Sequence, residues 1–169
     1  MLRHKEMLAG TVSASLPLIS SSQSSAHTYC QGLYMSTAQS VDRKSMTDKG
    51  LIDTVAYRGL ICGICKNVEK GCVGCRGGGG ADECYHRRCC LERGIDGCWQ
   101  CDVSPCDRGF FADEAWKGLC RGFIRCIKRK GVEQFVSLVQ SRFGNVVEYG
   151  EFRFKKEQDI LTTLCSPGE

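Results

Sequence analysis

Aromatic residues make up only 8% of the 169-residue sequence, and large aliphatic side chains are sparse between residues 62 and 106. A segment with so few large apolar side chains cannot bury enough surface to offset its chain entropy. Covalent or metal cross-links must therefore hold this part of the chain together. The length fits one modest domain with a tail and argues against two large domains.

Several signatures of function are also missing. Pro17 and several serines interrupt the apolar stretch from Leu8 to Ile19, so we expect no membrane span. The net charge of +4 is spread along the chain, which argues against the concentrated basic field of a strong nucleic-acid binder. The glycines of 77–80 are followed by Ala81-Asp82-Glu83, where a phosphate-binding loop needs Gly-Lys-Ser/Thr.

Cysteine is the residue that this sequence has in excess, with 14 copies. Three pairs have two intervening residues: Cys62/Cys65, Cys72/Cys75 and Cys98/Cys101. This spacing places both sulfurs on one tight turn facing the same point, and a disulfide network rarely repeats it three times. Such pairs are typical of metal or redox chemistry inside cells, so we expect a metal-binding, cytoplasmic protein.

Zinc is the metal that four thiolates in a tetrahedron suit best, so eight cysteines predict two zinc ions. The simplest division gives each ion four consecutive members of the pattern: Cys62, Cys65, Cys72 and Cys75, then Cys84, Cys89, Cys98 and Cys101. An interleaved division, in which Cys62/Cys65 share an ion with Cys98/Cys101, stays open.

Two further cysteines lie in the same region. Cys106 follows Ser104-Pro105 and is a ninth candidate ligand, a substitute ligand or a reactive thiol. Cys90 is surplus under either division, and His86 is a bystander when thiolates are in excess.

Three other interpretations compete with structural zinc. An iron–sulfur cluster is the main alternative, although the ferredoxin spacing is absent and the spacing of Cys98, Cys101 and Cys106, with Cys120 later, matches a four-iron pattern only loosely. A thiol–disulfide enzyme would need a βαβ unit, which the pattern does not indicate. The third interpretation is a binuclear cluster, in which six cysteines bind two zinc ions. The cysteine spacing of this sequence fits only the first half of that pattern.

The pattern of apolar residues predicts the organisation of the chain. Residues 1–45 form a disordered leader or an over-extended start, with Met35 or Met46 as the true beginning. Residues 46–143 form the cysteine-rich domain with a helical C-terminal half, and 144–169 form a short strand and helix extension.

The helices are predicted from periodicity and capping residues. We expect a helix from Thr47 or Asp48 to about Arg58, one over 85–93 ending at Gly94, one over 132–142, and a last one over 155–164. Residues 146–154 alternate and predict a strand or hairpin.

The strongest helical pattern runs from Asp113 to Lys130. Its apolar stripe contains Trp116, Leu119, Cys120, Phe123, Ile124 and Ile127. Six cations lie on its other sides, which allows a nucleic-acid or acidic-partner surface. Cationic side chains on one side of a helix more often form a surface that only solvent contacts, so we favour that interpretation.

The order of the cysteines resembles a bacterial and archaeal family known as domain-of-unknown-function family 3795. The resemblance covers about residues 57–140 and is carried by five elements in order: Cys62-Gly63-Ile64-Cys65, Cys72-Val73-Gly74-Cys75, Cys84 to Cys89, Cys98-Trp99-Gln100-Cys101 and Pro105-Cys106. It implies a presumed metal-binding domain and adds no activity. Cys90 departs from the family pattern, which more often has a small residue there.

Together these patterns predict a small α-rich (α+β) domain stapled by metal, with a zinc-knuckle half followed by a two-helix C-terminal half. No histidine or carboxylate constellation for catalysis is recognisable, so we favour a non-catalytic binding or adaptor module with an unknown protein partner. An iron–sulfur or thiol-based redox or metal-handling protein is the alternative, and enzyme activity stays open.

Overall fold

The computed structural model describes residues 48–165. This range contains five α-helices: α1 (Asp48–Ile52), α2 (Tyr85–Arg93), α3 (Lys117–Lys130), α4 (Val132–Phe143) and α5 (Glu157–Cys165). Short 3-10 helices lie between them, and within 48–165 there is no β-strand, only isolated bridges of Val55 with Ile61 and Cys65 with Val147. The prediction of an α-rich domain is therefore confirmed. The leader predicted over 1–45 lies outside the described residues.

Helix α3 lies at the centre of the described fold. Its apolar side chains are 0–2% exposed: Leu119, Cys120, Phe123, Ile124, Cys126 and Ile127. The predicted stripe is confirmed at five of its six positions, while Trp116 is half-buried. The helix begins at Lys117 rather than Asp113, because Asp113 caps the preceding turn: its Oδ1 accepts hydrogen bonds from the Ala115 and Trp116 N–H groups, at 2.9 and 3.1 Å.

Helix α5 packs directly on α3 because two glycines of α3 leave room for it. A Cβ atom at Gly118 would lie 1.8 Å from the Lys155 carbonyl oxygen. One at Gly122 would lie 2.8 Å from the Ile160 Cγ2 atom. The buried residues Ile160, Leu161 and Leu164 of α5 complete this contact.

Aromatic rings fill the space between α3, α4 and the chain that follows α4. The Phe123 ring lies 5.1 Å from that of Phe135 and 6.1 Å from that of Tyr149, both edge to face. Phe143 and Phe152 pack in the same way at 4.8 Å. Such edge-to-face pairs add to the stabilisation from burial.

The shorter elements differ from expectation in part. Helix α2 is confirmed, ending at Gly94 in the left-handed conformation (φ 63°). The predicted length of α1 is wrong, because the helix ends at Ile52 rather than near Arg58. The chain turns back there, and the Ala56 N–H donates to the Leu60 oxygen at 2.7 Å.

The strand predicted over 146–154 is also wrong. Val147 forms one bridge, and Tyr149–Phe152 is a 3-10 helix whose phenol ring turns inward. Val147 and Tyr149 are buried there as single anchors, whereas Phe154 is 69% exposed, so the segment has no continuous apolar face of a sheet. No helix within 48–165 is long and apolar enough to cross a membrane.

Replacing Gly118 with alanine will lower the free energy of unfolding by more than about 2 kcal/mol, because the new methyl group must displace a backbone carbonyl of the α5 segment. Urea unfolding followed by circular dichroism measures this. Arg129→Ala, at an exposed position of the same helix, is the matched control and should change stability by less than about 0.5 kcal/mol. Equal stabilities of the two variants would contradict the close approach of α3 and α5.

Candidate metal centre

The nine cysteines predicted as ligands line two different cavities in the described part of the chain. A cavity of about 360 Å³ is lined by the first cysteine group: Cys62, Cys65, Cys72, Cys75 and Cys84. A cavity of about 230 Å³ is lined by the second cysteine group: Cys89, Cys90, Cys98, Cys101 and Cys106. His86 also lines the second cavity.

This grouping differs from both divisions considered from sequence. Cys84 lies with the first four cysteines rather than with Cys89, because it is the residue before α2 and faces the first cavity. Cys62/Cys65 and Cys98/Cys101 line different cavities, so the interleaved pairing is not formed.

All thirteen cysteines within 48–165 are free thiols. In that same range no three cysteine, histidine or carboxylate side chains converge closely enough to hold a metal ion. The thiols of each group thus share a cavity without forming a closed coordination sphere.

Cys62 begins a short 3-10 helix, Cys62–Ile64, and Cys65 follows that helix directly. The Cys75 N–H donates to the Cys62 sulfur at 3.2 Å, which ties the second pair to the first. Burial raises the pKa of Cys62, and this backbone hydrogen bond opposes it.

The glycine run after Cys75 has a packing role that the sequence did not reveal. The Gly79 N–H donates to the Gly74 oxygen at 2.7 Å. A Cβ atom at Gly79 would lie 3.0 Å from the Cys72 sulfur. The predicted flexible spacer therefore closes over the first cysteine group, and only glycine fits at 79 without displacing its neighbours.

Three contacts attach the first pair to the helical core. The Tyr149 hydroxyl accepts from the Ile61 N–H at 3.0 Å and donates to the Ile61 oxygen at 3.2 Å. The Val147 N–H donates to the Ile64 oxygen at 2.7 Å. These bonds fix Cys62 and Cys65 relative to the aromatic core, although 80 or more residues separate the partners in sequence.

Cys75 and Cys84 interact as a pair of thiols. Their mutual hydrogen bond lowers the pKa of Cys84 and raises that of Cys75, so the two share one negative charge more readily than they carry two. The Arg58 guanidinium also lowers the pKa of Cys84.

Two arginine side chains line the first cavity and have hydrogen-bond donors that are not used. Arg58 Nη1 and Arg87 Nε are buried and have no hydrogen-bond partner among residues 48–165. The Arg58 guanidinium carbon lies 3.5 Å from the centre of the Phe110 ring, which holds it in place. A buried donor without an acceptor is costly, so these atoms favour a negatively charged group in the cavity.

The second cysteine group is built on a 3-10 helix, Cys98–Gln100, that packs against α3. The Cys98 N–H donates to the Tyr57 oxygen at 2.8 Å. The Cys98 sulfur lies 3.8 Å from the Cys90 sulfur and 3.6 Å from His86 Nδ1. Cys90, which sequence reasoning left as surplus, therefore belongs to this group.

The Lys128 side chain of α3 holds the loop of the second group. Its Nζ donates to the backbone oxygens of Cys101 and Ser104, each at 2.7 Å. Arg93 lies at the edge of this cavity, with Nη1 3.7 Å from the Cys101 sulfur. A cationic side chain thus borders each cysteine group.

His86 serves the second group as a positioning residue more than as a ligand. Its Nε2 accepts a hydrogen bond from the Phe110 N–H at 3.0 Å, which places the ring proton on Nδ1, towards Cys98. Nε2 is therefore occupied, and the ring orients the Cys98 thiol.

No protein-family model matches the chain, and no curated protein or solved structure is detectably similar to it. The resemblance to domain-of-unknown-function family 3795 therefore stays a prediction.

His86 will titrate at a far lower pH than an ordinary histidine. Burial, and then the nearby Arg58 charge, lower its pKa to about 4. The unfolded chain binds the proton near pH 6.5 and the folded chain does not, so the free energy of unfolding falls as pH drops from about 6.5 to 4. NMR titration of the ring carbon-bound protons measures the pKa. A value near 6.5 would show a solvated ring and contradict the Phe110 contact.

Proposed function

We propose that this protein is a non-catalytic binding or adaptor module whose cysteine-rich half is held by structural zinc at the two cysteine groups. One observation carries the proposal: each predicted ligand lies in a group that offers at least four thiols around one cavity. Sites built from cysteine alone are usually structural. Zinc bound there would contribute directly to the free energy of folding.

The chemistry of the donor set fits this metal. Thiolates are the ligands that zinc prefers, and four of them around one Zn²⁺ carry a net negative charge. The unpartnered nitrogens of Arg58 and Arg87 would offset that charge at the first group. The Arg93 guanidinium, next to the Cys101 sulfur, would do so at the second.

Zinc binding requires the thiols to come closer together than they lie in this structure. Zn–S bonds are about 2.3 Å long, so each loop must draw inward. The loops can do this because most of their cysteines lie on short 3-10 turns and loop segments, whereas Cys89 and Cys90 are held on α2. The first group has five thiols, one more than a tetrahedral zinc ion binds. Either Cys75 or Cys84 could therefore be the fourth ligand.

An iron–sulfur cluster is the second candidate, and the size of the first cavity favours it. A volume of about 360 Å³ lined by five thiols has more room than one zinc ion needs. Donors such as Arg58 Nη1 could also bind the inorganic sulfides of a cluster. This alternative would change the function to electron transfer or redox sensing.

Most cations of the basic helix are engaged within the chain. Arg121 pairs with Asp107, Arg125 with Glu157, and Lys117 with Glu114. Lys128 binds the loop of the second cysteine group. This supports an adaptor that meets a protein partner over a nucleic-acid binder, since among the cations of α3 only Arg129 and Lys130 have neither an ion pair nor a side-chain hydrogen bond to the described residues.

Metal analysis of anaerobically purified protein, with the absorption spectrum of the same sample, tests the proposal. About two zinc ions per chain and no visible colour are expected. Iron with a brown colour would favour the second candidate. A chain that folds without bound metal would refute both.

Cys62→Ser will reduce zinc from about two ions per chain to about one or fewer and unfold the cysteine-rich half, because a hydroxyl is a poor zinc ligand. Plasma mass spectrometry gives the zinc content, and circular dichroism gives the helix content. Cys165→Ser, outside both groups, is the control and should keep all of its zinc. An unchanged zinc content in Cys62→Ser would show that the first cysteine group does not bind zinc.

Arg58→Gln will weaken zinc binding at the first group by roughly 10- to 100-fold, because a partner beyond the ligands that offsets their charge is lost. Competition with a chromogenic chelator measures the affinity. Arg153→Gln is the matched control, since Arg153 lines the same cavity but is exposed to solvent. Equal affinities of the two variants would show that Arg58 does not offset the charge of the bound site.

A further inference from the structure

Two cysteines outside both cysteine groups meet between α3 and α5. The Cys126 sulfur lies 3.1 Å from the Cys165 sulfur, although the two residues are 39 positions apart. Cys126 is fully buried, while Cys165 is partly exposed near the end of α5. No periodic pattern in the sequence places Cys165 beside Cys126.

We propose that Cys126 and Cys165 form a reversible disulfide modification site that reacts with low-molecular-weight disulfides. This goes beyond the zinc proposal, since neither residue lines a cysteine cavity. A disulfide bond is about 2.05 Å long, so the two sulfurs need to move together by only ~1 Å.

The reaction proceeds in two exchanges. The Cys165 thiolate, which solvent reaches, attacks one sulfur of the small disulfide, forms a mixed disulfide and releases one small thiol. The Cys126 thiolate then attacks the Cys165 sulfur, and the second small thiol leaves with the electron pair of the broken bond. Two protein thiols are oxidised and one small disulfide is reduced to two thiols. Burial raises the pKa of Cys126, which makes Cys165 the first to react.

The bond would staple the last described helix to the centre of the fold. It would close a loop over α4 and the segment that carries Tyr149, which anchors the first cysteine pair. Restricting the unfolded chain in this way raises the melting temperature by roughly 10 °C.

The test treats the full chain, as purified, with oxidised glutathione, blocks the remaining thiols and digests with trypsin without reduction. Trypsin cuts after Arg125, Lys128 and Lys156, so the disulfide joins peptide 126–128 to peptide 157–169. Mass spectrometry should detect this linked pair, and dithiothreitol should abolish it. In Cys165→Ser, the linked peptide and the gain in melting temperature should both be absent.

Glutathione attached to Cys165 without a link to peptide 126–128 would overturn the proposal, as would pairing of Cys165 with a different cysteine. A linked pair with an unchanged melting temperature would refute the stapling effect. Zinc content, measured in the same samples, separates the two proposals, because the disulfide can form whether or not the cysteine groups hold metal.

Discussion

Close packing around α3 holds the described chain together. Helix α3 packs against α4, α5 and the 3-10 segments that contain Cys98 and Phe111. The side chain of Lys128 extends from the same helix to the loop of the second cysteine group. Because one helix supplies both the apolar core and this polar anchor, the geometry of the cysteine-rich half depends on how α3 is packed.

The first cysteine group depends on the core through fewer contacts. Its attachment includes the Tyr149 hydroxyl on Ile61, the Val147 bridge to Cys65, and the Thr54 hydroxyl, which accepts from the Gly63 N–H at 3.0 Å. Residues 66–83 beyond these anchors contribute no buried large apolar side chain. A metal site there would supply the cross-link that the apolar core cannot provide.

Both cysteine groups have arginine side chains beside their thiols. Arg58 and Arg87 face the first group, and Arg93 faces the second, while carboxylates are few in either cavity wall. Guanidinium groups placed beside thiols favour the charged, metal-binding form of those thiols.

Sequence periodicity was sufficient for α2, α3 and α4, because each has a clear apolar stripe or a glycine at its end. It failed after Ile52 and over 146–154, where single residues such as Tyr149 make contacts with distant partners that no local pattern encodes. The cysteine spacing pointed to the candidate ligands but not to their grouping. Cys84 follows a glycine-rich turn and Cys90 lies one helix position beyond Cys89, so only the path of the chain decides which cavity each one faces.

Zinc K-edge X-ray absorption of the purified protein would show which atoms bind zinc in the cysteine groups. We expect a first coordination shell of about four sulfur atoms at about 2.3 Å. A shell dominated by nitrogen or oxygen, or the absence of bound zinc in a folded chain, would contradict it.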